Sequence, residues 1–284
     1  MKKLIEGKTK IIYDRGNGTV EMVFCLYDVL VHYFHPFGDG TVHMVSKDDI
    51  TSGDGAQHDV IQGKAELATR TTANVFELLD RHGVATHYIK RIDSLRLLCK
   101  RCKMIPLEVV IRGTAAGSYL KRNPEAVEGQ DFDPRPVEFF IKDDARHDPI
   151  ISFGQDRWYL YPPKEPVSDS NVIDEMEPLL NPAEIKEVTC LARQVFDVLF
   201  AAWAKLNIKL IDLKIEVGRS DEGKLVVADV IDNDSWRIWP GGDKTKQLDK
   251  QVYRDTRDLE STRSKYAVVA DLTDRFPRVL PRGS

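Results

Sequence analysis

The sequence predicts a mixed α/β (α+β) fold in which antiparallel strands carry the architecture. Three observations predict it. Most of the first hundred residues break into short strand-like runs separated by Gly-containing turns, with one helical pattern among them. Asn181 followed by Pro182 opens a long helix of apolar period. That helix delivers the chain into LIDLKIEVGRSDEGKLVVADVIDNDSWRIWP, two strand-like runs joined by a short polar turn.

The 284 residues suit one large or two modest domains with a substantial core. Composition is that of a globular protein, 42% hydrophobic and 30% charged. With 41 basic residues against 45 acidic ones, the net charge of −4 argues against a chain built to hold nucleic acid. No apolar run approaches the roughly 18 residues of a membrane helix, and no signal-peptide pattern precedes the first strand, so a cytoplasmic protein without membrane contact is expected. The four cysteines fit a reducing compartment. Cys99 and Cys102 have C-x-x-C spacing but no second half-site, and read as two ordinary thiols near a strand end.

Taken in order, LIEGKTKIIYD gives a strand, a Gly-Lys turn and a second strand. GNGTVEMVFCLYDV at Gly16 and GDGTVHMVSKDDI at Gly38 then repeat with a 22-residue offset, which predicts a duplicated hairpin strand opened by Asn-Gly or Asp-Gly. GKAELATRTTANVFELLDRHG is an amphipathic helix with Ala65, Ala68, Thr72, Val75 and Leu79 on one face and Gly83 at its C-terminal cap. Further strands are expected over 87–91, 95–99 and 107–112. Residues 131–182, rich in proline and acid, predict mostly loop with short elements. At the next helix Asn181 caps, Pro182 takes the first position and Glu184 completes a capping box. Leu191, Val195, Val198 or Leu199, and Ala202 form its buried stripe up to Leu206. The closing VLPRGS (279–284) resembles a thrombin-site remnant, LVPRGS, with its first two letters exchanged, and is set aside from fold reasoning.

Several stretches carry candidate chemistry. Along the strand from Leu210, Asp212, Lys214 and Glu216 share one face and Leu213, Ile215 and Val217 the other. A two-residue turn at Glu222 and Gly223 would set Asp221 opposite Lys224 and Glu216 opposite Asp229. Two opposed carboxylates need neutralising, either by a divalent cation or by lysines on a solvated face, and a longer turn would change the register. The Gly7-Lys8-Thr9-Lys10 turn offers backbone N–H groups and two cations to phosphate, although it is no Walker loop and exposed Gly-Lys turns are common. VVIRGTAAGSYLKR ends a strand in Arg112 and continues through small residues to Ser118. This suits close approach of a phosphate or carboxylate, and the small residues equally suit a tight turn. IKDDARHDP, with Lys142, reads by default as a solvated loop, and DNDSWRIWP sets Asp234 and Arg237 beside two tryptophans. Residues 249–254 add mixed charge at a helix start.

Together LIEGKTKIIY, ITSGDGA, MIPLEVVIRGTAAGSYLKR, FIKDDARHDP, LIDLKIEVG and VADVIDNDSWRIWP resemble the SAICAR synthetase family, and most nearly the synthetase part of the animal bifunctional purine enzyme. The resemblance implies a two-lobed fold related to ATP-grasp and kinase folds, with the nucleotide between the lobes. The smaller antiparallel lobe would take residues 1–105, with the duplicated strand at about 16–50 as an insert, and the substrate and metal lobe 106–278. It also implies an ATP-dependent ligase that joins L-aspartate to carboxyaminoimidazole ribonucleotide (CAIR) through an acyl phosphate, in purine biosynthesis, with Mg2+. A homodimer is the family-level expectation.

By that resemblance Lys8, Lys10 and Lys142 serve the ATP phosphates, and residues 104–108, from Met104 to Glu108, pass the adenine. Glu216 and Asp229 hold magnesium, and Lys214, Asp234 and Arg237 act at the reaction. Arg112, Ser118 and Arg237 hold the ribonucleotide, and Asp54 borders the substrates. Val230 stands where many bacterial members have an acid, so no third metal carboxylate is implied. Two rivals remain: a small-molecule kinase, since Asp212-Leu-Lys214 is similar to the Asp-x-Lys element of inositol-phosphate kinases, and a non-catalytic nucleotide-binding protein.

Overall fold

Two antiparallel sheets organise the chain, whose computed structural model describes residues 2–14, 25–26, 29–30, 40–52 and 56–279. The first half supplies strands β1 (Lys2–Glu6), β2 (Lys10–Asp14), β3 (Cys25–Leu26), β4 (Val29–Leu30), β5 (Thr41–Ser46), β6 (Asp49–Ser52) and β7 (Gln57–Val60). Helix α1 (Lys64–Arg81) follows, then β8 (Tyr88–Arg91), β9 (Arg96–Lys100), β10 (Cys102–Arg112) and the short α2 (Ser118–Arg122). The second half adds β11 (Val137–Ile141), β12 (Ile150–Phe153), β13 (Trp158–Tyr161), β14 (Asp174–Met176) and the long helix α3 (Pro182–Lys205). It closes with β15 (Ile208–Ser220), β16 (Leu225–Ala228), β17 (Trp236–Pro240) and helices α4 (Gln251–Thr256), α5 (Leu259–Thr273) and α6 (Phe276–Val279).

The first sheet runs β1-β2-β5-β9-β8 and the second β14-β13-β12-β11-β10-β15-β16, with β17 also paired to β15. The second copy of the sequence repeat is β5, held between β2 and β9. Of the first copy only the β3–β4 pair is described. Residues 15–24 and 31–39, with most of the expected insert, lie outside the described residues, as does Asp54.

Both predicted helices form, and their caps explain where they stop. Gly83, at φ 72°, accepts the left-handed turn after α1. Its N–H donates to the Asp80 carbonyl, and the Val84 N–H reaches back to Leu79. The five predicted face residues of α1 are all buried. At the start of α3, Asn181 Oδ1 accepts from the Ala183 and Glu184 amides at 2.9 and 3.0 Å, while Glu184 Oε2 accepts from the Asn181 N–H at 2.9 Å. Leu199, rather than Val198, joins the buried stripe with Leu191, Val195 and Ala202.

That stripe packs on one face of the second sheet, against Leu107, Val109, Ile111, Leu213, Ile215 and Val217. Burying each such side chain stabilises the fold by about 1.5–3 kcal/mol, so this face is fixed toward the core and the other is left for chemistry. Residues 131–182 depart from expectation. Instead of mostly loop they supply β11 to β14, half the strands of that sheet. VEFFI, IISF and WYLY are short apolar runs cut by proline and acid, too brief to show a period of two. At the other end, Val279 closes α6 and packs on the core. Burial raises the thiol pKa of both Cys99 and Cys102, the latter to about 11.

Replacing Asn181 by Ala removes two amide acceptors from the start of α3. It is expected to cost about 1 kcal/mol, seen as a lower urea midpoint for helix loss, whereas an unchanged midpoint would assign the helix start to packing alone.

Candidate active site

Cross-strand register places the charges of three strands on one face of the second sheet. Glu108 pairs directly with Glu216, Val110 with Lys214, and Arg112 with Asp212. On the other side of β10, Val110 pairs with Glu138 and Glu108 with Phe140. Side chains two apart along a strand share a face, so Glu108, Arg112, Glu138, Asp212, Lys214 and Glu216 all point away from the α3 core. A small apolar cluster of Val110, Phe140, Ile150 and Tyr161 floors this face.

Strand β15 has two partners along one edge. Its first half pairs with β17, from Ile208 opposite Pro240 to Leu213 opposite Trp236, and its second half with β16. The chain leaves β16 at Ala228 and rejoins at Trp236, so residues 229–235 loop out beside Lys214, whose N–H bonds the Ser235 carbonyl at 2.7 Å. The expected register of this hairpin is off by one. Glu216 faces Ala228, not Asp229, and Ser220 rather than Asp221 is bonded to Lys224, because the turn has three residues with Gly223 at φ 81°. A strict one-residue slip would send Asp229 to the opposite face. Asp229 escapes that outcome because the strand stops before it and its backbone is left-handed, at φ 60°. Its carboxylate lies near enough for its charge to act on the Glu216 carboxyl.

Lysines from three directions neutralise these acids. Lys214 Nζ bonds Glu108 Oε1 at 2.5 Å, Lys142 Nζ bonds both Glu216 oxygens at 2.7 and 2.8 Å, and Lys10 Nζ bonds Asp229 Oδ1 at 2.6 Å. The result is neither of the two expected alternatives. The carboxylates are lysine-paired, yet the Glu216 side chain is only 8% exposed, so this is no solvated face. Burial, then the Asp229 charge, pushes the Glu216 carboxyl up, and Lys142 and Lys214 offset only part of this. Asp229 moves the other way. Burial opposes its ionisation, but Lys10 and Lys142 outweigh it and hold the carboxyl well below the usual range. Glu108 is likewise held low against burial, chiefly by Lys214.

Lys142 follows β11 directly, its N–H on the Pro106 carbonyl at 3.0 Å, so pairing with β10 runs one residue past the strand into what sequence reasoning took for solvated loop. Lys8 reaches the same loop and bonds Asp144. Between Met104 and Glu108 the β10–β15 register shifts, around Pro106, which has no N–H for the ladder.

A second centre lies at the Arg112 end of the face. Arg112 is 3% exposed and donates to Glu138 at 2.8 Å, Asp212 at 2.8 Å and Ser118 Oγ at 3.4 Å. Asp212 also bonds Arg237, the more accessible of the two arginines, and both hold its carboxyl below the usual range despite burial. Gly117, at φ 59°, lets the Arg237 guanidinium come close: a Cβ there would lie 2.5 Å from Arg237 Nη2. Of the small residues after Arg112, Gly117 thus makes room for an arginine, whereas Gly113 makes room for Phe196 and the β15 backbone. Asp234 sits apart from the arginines and accepts from Lys250 Nζ at 2.8 Å and from Tyr266 Oη.

The structure therefore gathers Lys10, Glu108, Lys142, Lys214, Glu216 and Asp229 into one network and Arg112, Ser118 and Arg237 into another. Lys8, Met104 and Asp234 stand at the borders. Sequence reasoning missed Glu138, Asp212, Lys250 and Tyr266 as site residues. Asp212 had a signal, its place in the alternation with Lys214 and Glu216, whereas Glu138 lay within the segment taken for loop. Among the described residues no group of three or more His, Cys, Asp or Glu side chains is gathered to hold a metal.

Comparison with known proteins fits this geometry. The family model described as SAICAR synthetase matches residues 31–271. The chain is 48% identical over 278 residues to the phosphoribosylaminoimidazole-succinocarboxamide synthase of Chloroflexus aurantiacus, covering 96% of each. It is 38% identical over 283 residues to the Drosophila melanogaster bifunctional phosphoribosylaminoimidazole carboxylase/phosphoribosylaminoimidazole succinocarboxamide synthetase, covering 98% of this chain and 58% of that protein. A solved SAICAR synthetase in complex with ADP superposes with a TM-score of 0.72 at 31% identity, over 95% of this chain and 96% of that one.

Asp148, beside this network, offers a test of its field. Burial, then the Glu108 charge, pushes its carboxyl up to about 6. Between the unfolded value of about 4 and 6 the folded chain keeps a proton that the unfolded chain releases, so stability falls as pH rises through that window. Asp148→Asn keeps an oxygen for the Asp143 amide, now at 2.8 Å, and removes the titration. Thermal midpoints measured across pH are expected to fall less steeply in this variant, and equal slopes would remove Asp148 as the source.

Proposed function

This chain belongs to the SAICAR synthetase family, and we propose that it uses ATP to join L-aspartate to the carboxylate of CAIR, releasing ADP and phosphate. The observation that carries the reading is the lysine-paired carboxylate face of β10 and β15, flanked by an arginine pair. The reaction asks for phosphate neutralisation, a place for a divalent cation and a clamp for an anionic ribonucleotide, and that face supplies residues for each.

In this reading residues 1–105 form the nucleotide lobe and 106–278 the substrate and metal lobe. The Gly7–Lys10 turn brings Lys8 and Lys10 across to the second sheet, where their partners are Asp144 and Asp229. ATP phosphates take over both lysines together with Lys142. The bulge around Pro106 frees the backbone between Met104 and Glu108 for the adenine. Glu216 and Asp229 fit Mg2+, which commonly takes one or two carboxylates plus substrate phosphates, and Val230 adds no third acid. When bound, the cation supplies positive charge against the phosphate oxygens. Lys214, anchored on Glu108, faces the carboxylate that becomes the acyl phosphate, which the aspartate amine then attacks. Arg237 and Ser118 hold the ribonucleotide phosphate. Arg112, buried with three of its donors engaged, acts mainly by orienting Asp212 and through it Arg237. Asp234, with Lys250, and Asp54 border the substrates. The protein works in the cytoplasm as a homodimer, without nucleic acid or membrane.

The test is phosphate release from ATP with CAIR and L-aspartate each omitted in turn. Release that needs both, with formation of the succinocarboxamide, is expected. Phosphorylation of an acceptor without aspartate would favour the kinase reading instead. Glu216→Gln and Asp229→Asn should each lower turnover by roughly 100-fold or more while leaving the circular dichroism spectrum unchanged. Near-normal rates in both variants would remove the metal assignment.

A further inference from the structure

Asp229 reaches the site by departing from its strand, and something must hold that departure. The backbone of residues 85–87, just past the α1 cap, runs along the free edge of β16. The Val227 N–H donates to the Ala85 carbonyl at 3.0 Å, the His87 N–H donates to the Val227 carbonyl at 2.9 Å, and Thr86 forms a parallel bridge to Val227. This ladder goes no further as backbone. At the next step the His87 side chain continues it, with Nε2 3.0 Å from the Asp229 carbonyl oxygen. A carbonyl only accepts, so Nε2 carries the proton.

The ring itself is fixed. His87 is 6% exposed, its ring packs edge-on against Phe76 of α1 with centroids 5.4 Å apart, and its backbone carbonyl accepts from the Lys100 N–H at 2.6 Å. The fixation therefore runs from α1 and the first sheet to a single peptide unit of the site loop. On the side-chain side, Asp229 is held by Lys10 of β2. Asp229 is thus gripped at its carboxylate by Lys10 of β2 and at its carbonyl by His87, the residue just before β8.

We infer that His87 is a positioning residue, whose Nε2–H···O=C bond holds Asp229 in the left-handed conformation that aims its carboxylate at Glu216 and Lys10. This rests on the reading of Asp229 as a metal carboxylate, and deepens it. His87 touches no substrate in this role. It acts on the angle between two carboxylates, so its loss should weaken cation binding while leaving the fold and the arginine end of the site intact.

The experiment compares His87→Phe, which keeps the ring and its packing on Phe76 but has no donor, with His87→Gln, whose amide N–H can replace Nε2–H. Mn2+ binding in the presence of ADP, followed by the loss of the free-ion paramagnetic resonance signal, should weaken about tenfold or more in His87→Phe and recover substantially in His87→Gln. Equal binding in His87→Phe and the unaltered protein overturns the inference, as does a His87→Gln variant no better than His87→Phe. Should His87→Phe fail to fold, nitrogen-15 spectra of the unaltered protein decide: a proton on Nε2 supports the bond, and a proton on Nδ1 overturns it. Asp229→Asn, measured alongside, separates the two claims. Undiminished Mn2+ binding there removes the metal role itself, and with it the inference. Lost binding there with full binding in His87→Phe keeps the metal role and overturns only the positioning.

Discussion

Glu108 and Glu216 face each other directly across two central strands, and the rest of the site is arranged around that opposition. Like charges at a directly paired position destabilise a sheet, and these are largely withdrawn from water. Apolar residues could have taken both places at no electrostatic cost. A lysine on each acid offsets that cost: Lys214 reaches diagonally across from β15 to Glu108 on β10, and Lys142, just past the end of β11, reaches over β10 to Glu216. The packing of the opposite face against α3 fixes the register, so the acids cannot slip apart to relieve the repulsion.

The same constraint explains why the first sheet matters to chemistry located on the second. Asp229 adds a third negative charge, and its main neutralising lysine, Lys10, belongs to β2. Buried acids and lysines of this kind fold safely only as a set, because an acid that loses its lysine becomes an uncompensated charge. Contact between the sheets is therefore written into the charge balance as well as into apolar packing. Glu216 and Asp229, side by side, are driven in opposite directions, the one toward holding a proton and the other toward staying ionised.

What could be read from sequence follows the range of the physics involved. The caps of α1 and α3 were legible because Gly83, Asn181 and Glu184 act within one turn of their own helix. The shared face of Asp212, Lys214 and Glu216 was legible because the strand period is local. The hairpin register was not, since it turned on whether Gly223 closes a two- or three-residue loop, and sequence spacing allows both. The pairing of Glu138 with Arg112 and Arg122 was hidden for another reason. Its strand is five residues long, mostly apolar and set among prolines, so nothing in the local pattern announces a sheet. Asp54 and most of the duplicated strand lie outside the described residues, so the structure adds nothing to the readings made of them.

The lysine pairs also bear on how such a site can be both stable and reactive. An anionic ligand with its own cation brings both charges that the network needs. Lys10 and Lys142 can move from their carboxylates to phosphate oxygens, and the two carboxylates they vacate, Asp229 and Glu216, can meet a divalent positive charge, so the count of paired charges among these buried groups is conserved. Nothing has to be left bare between the two arrangements, provided ligand and cation arrive together. A cation alone would compete with lysines already in place, and an anion alone would strip lysines from buried acids at the cost of leaving them uncompensated. The charge balance that keeps Glu108 and Glu216 in one sheet thus favours binding the pair over binding either half.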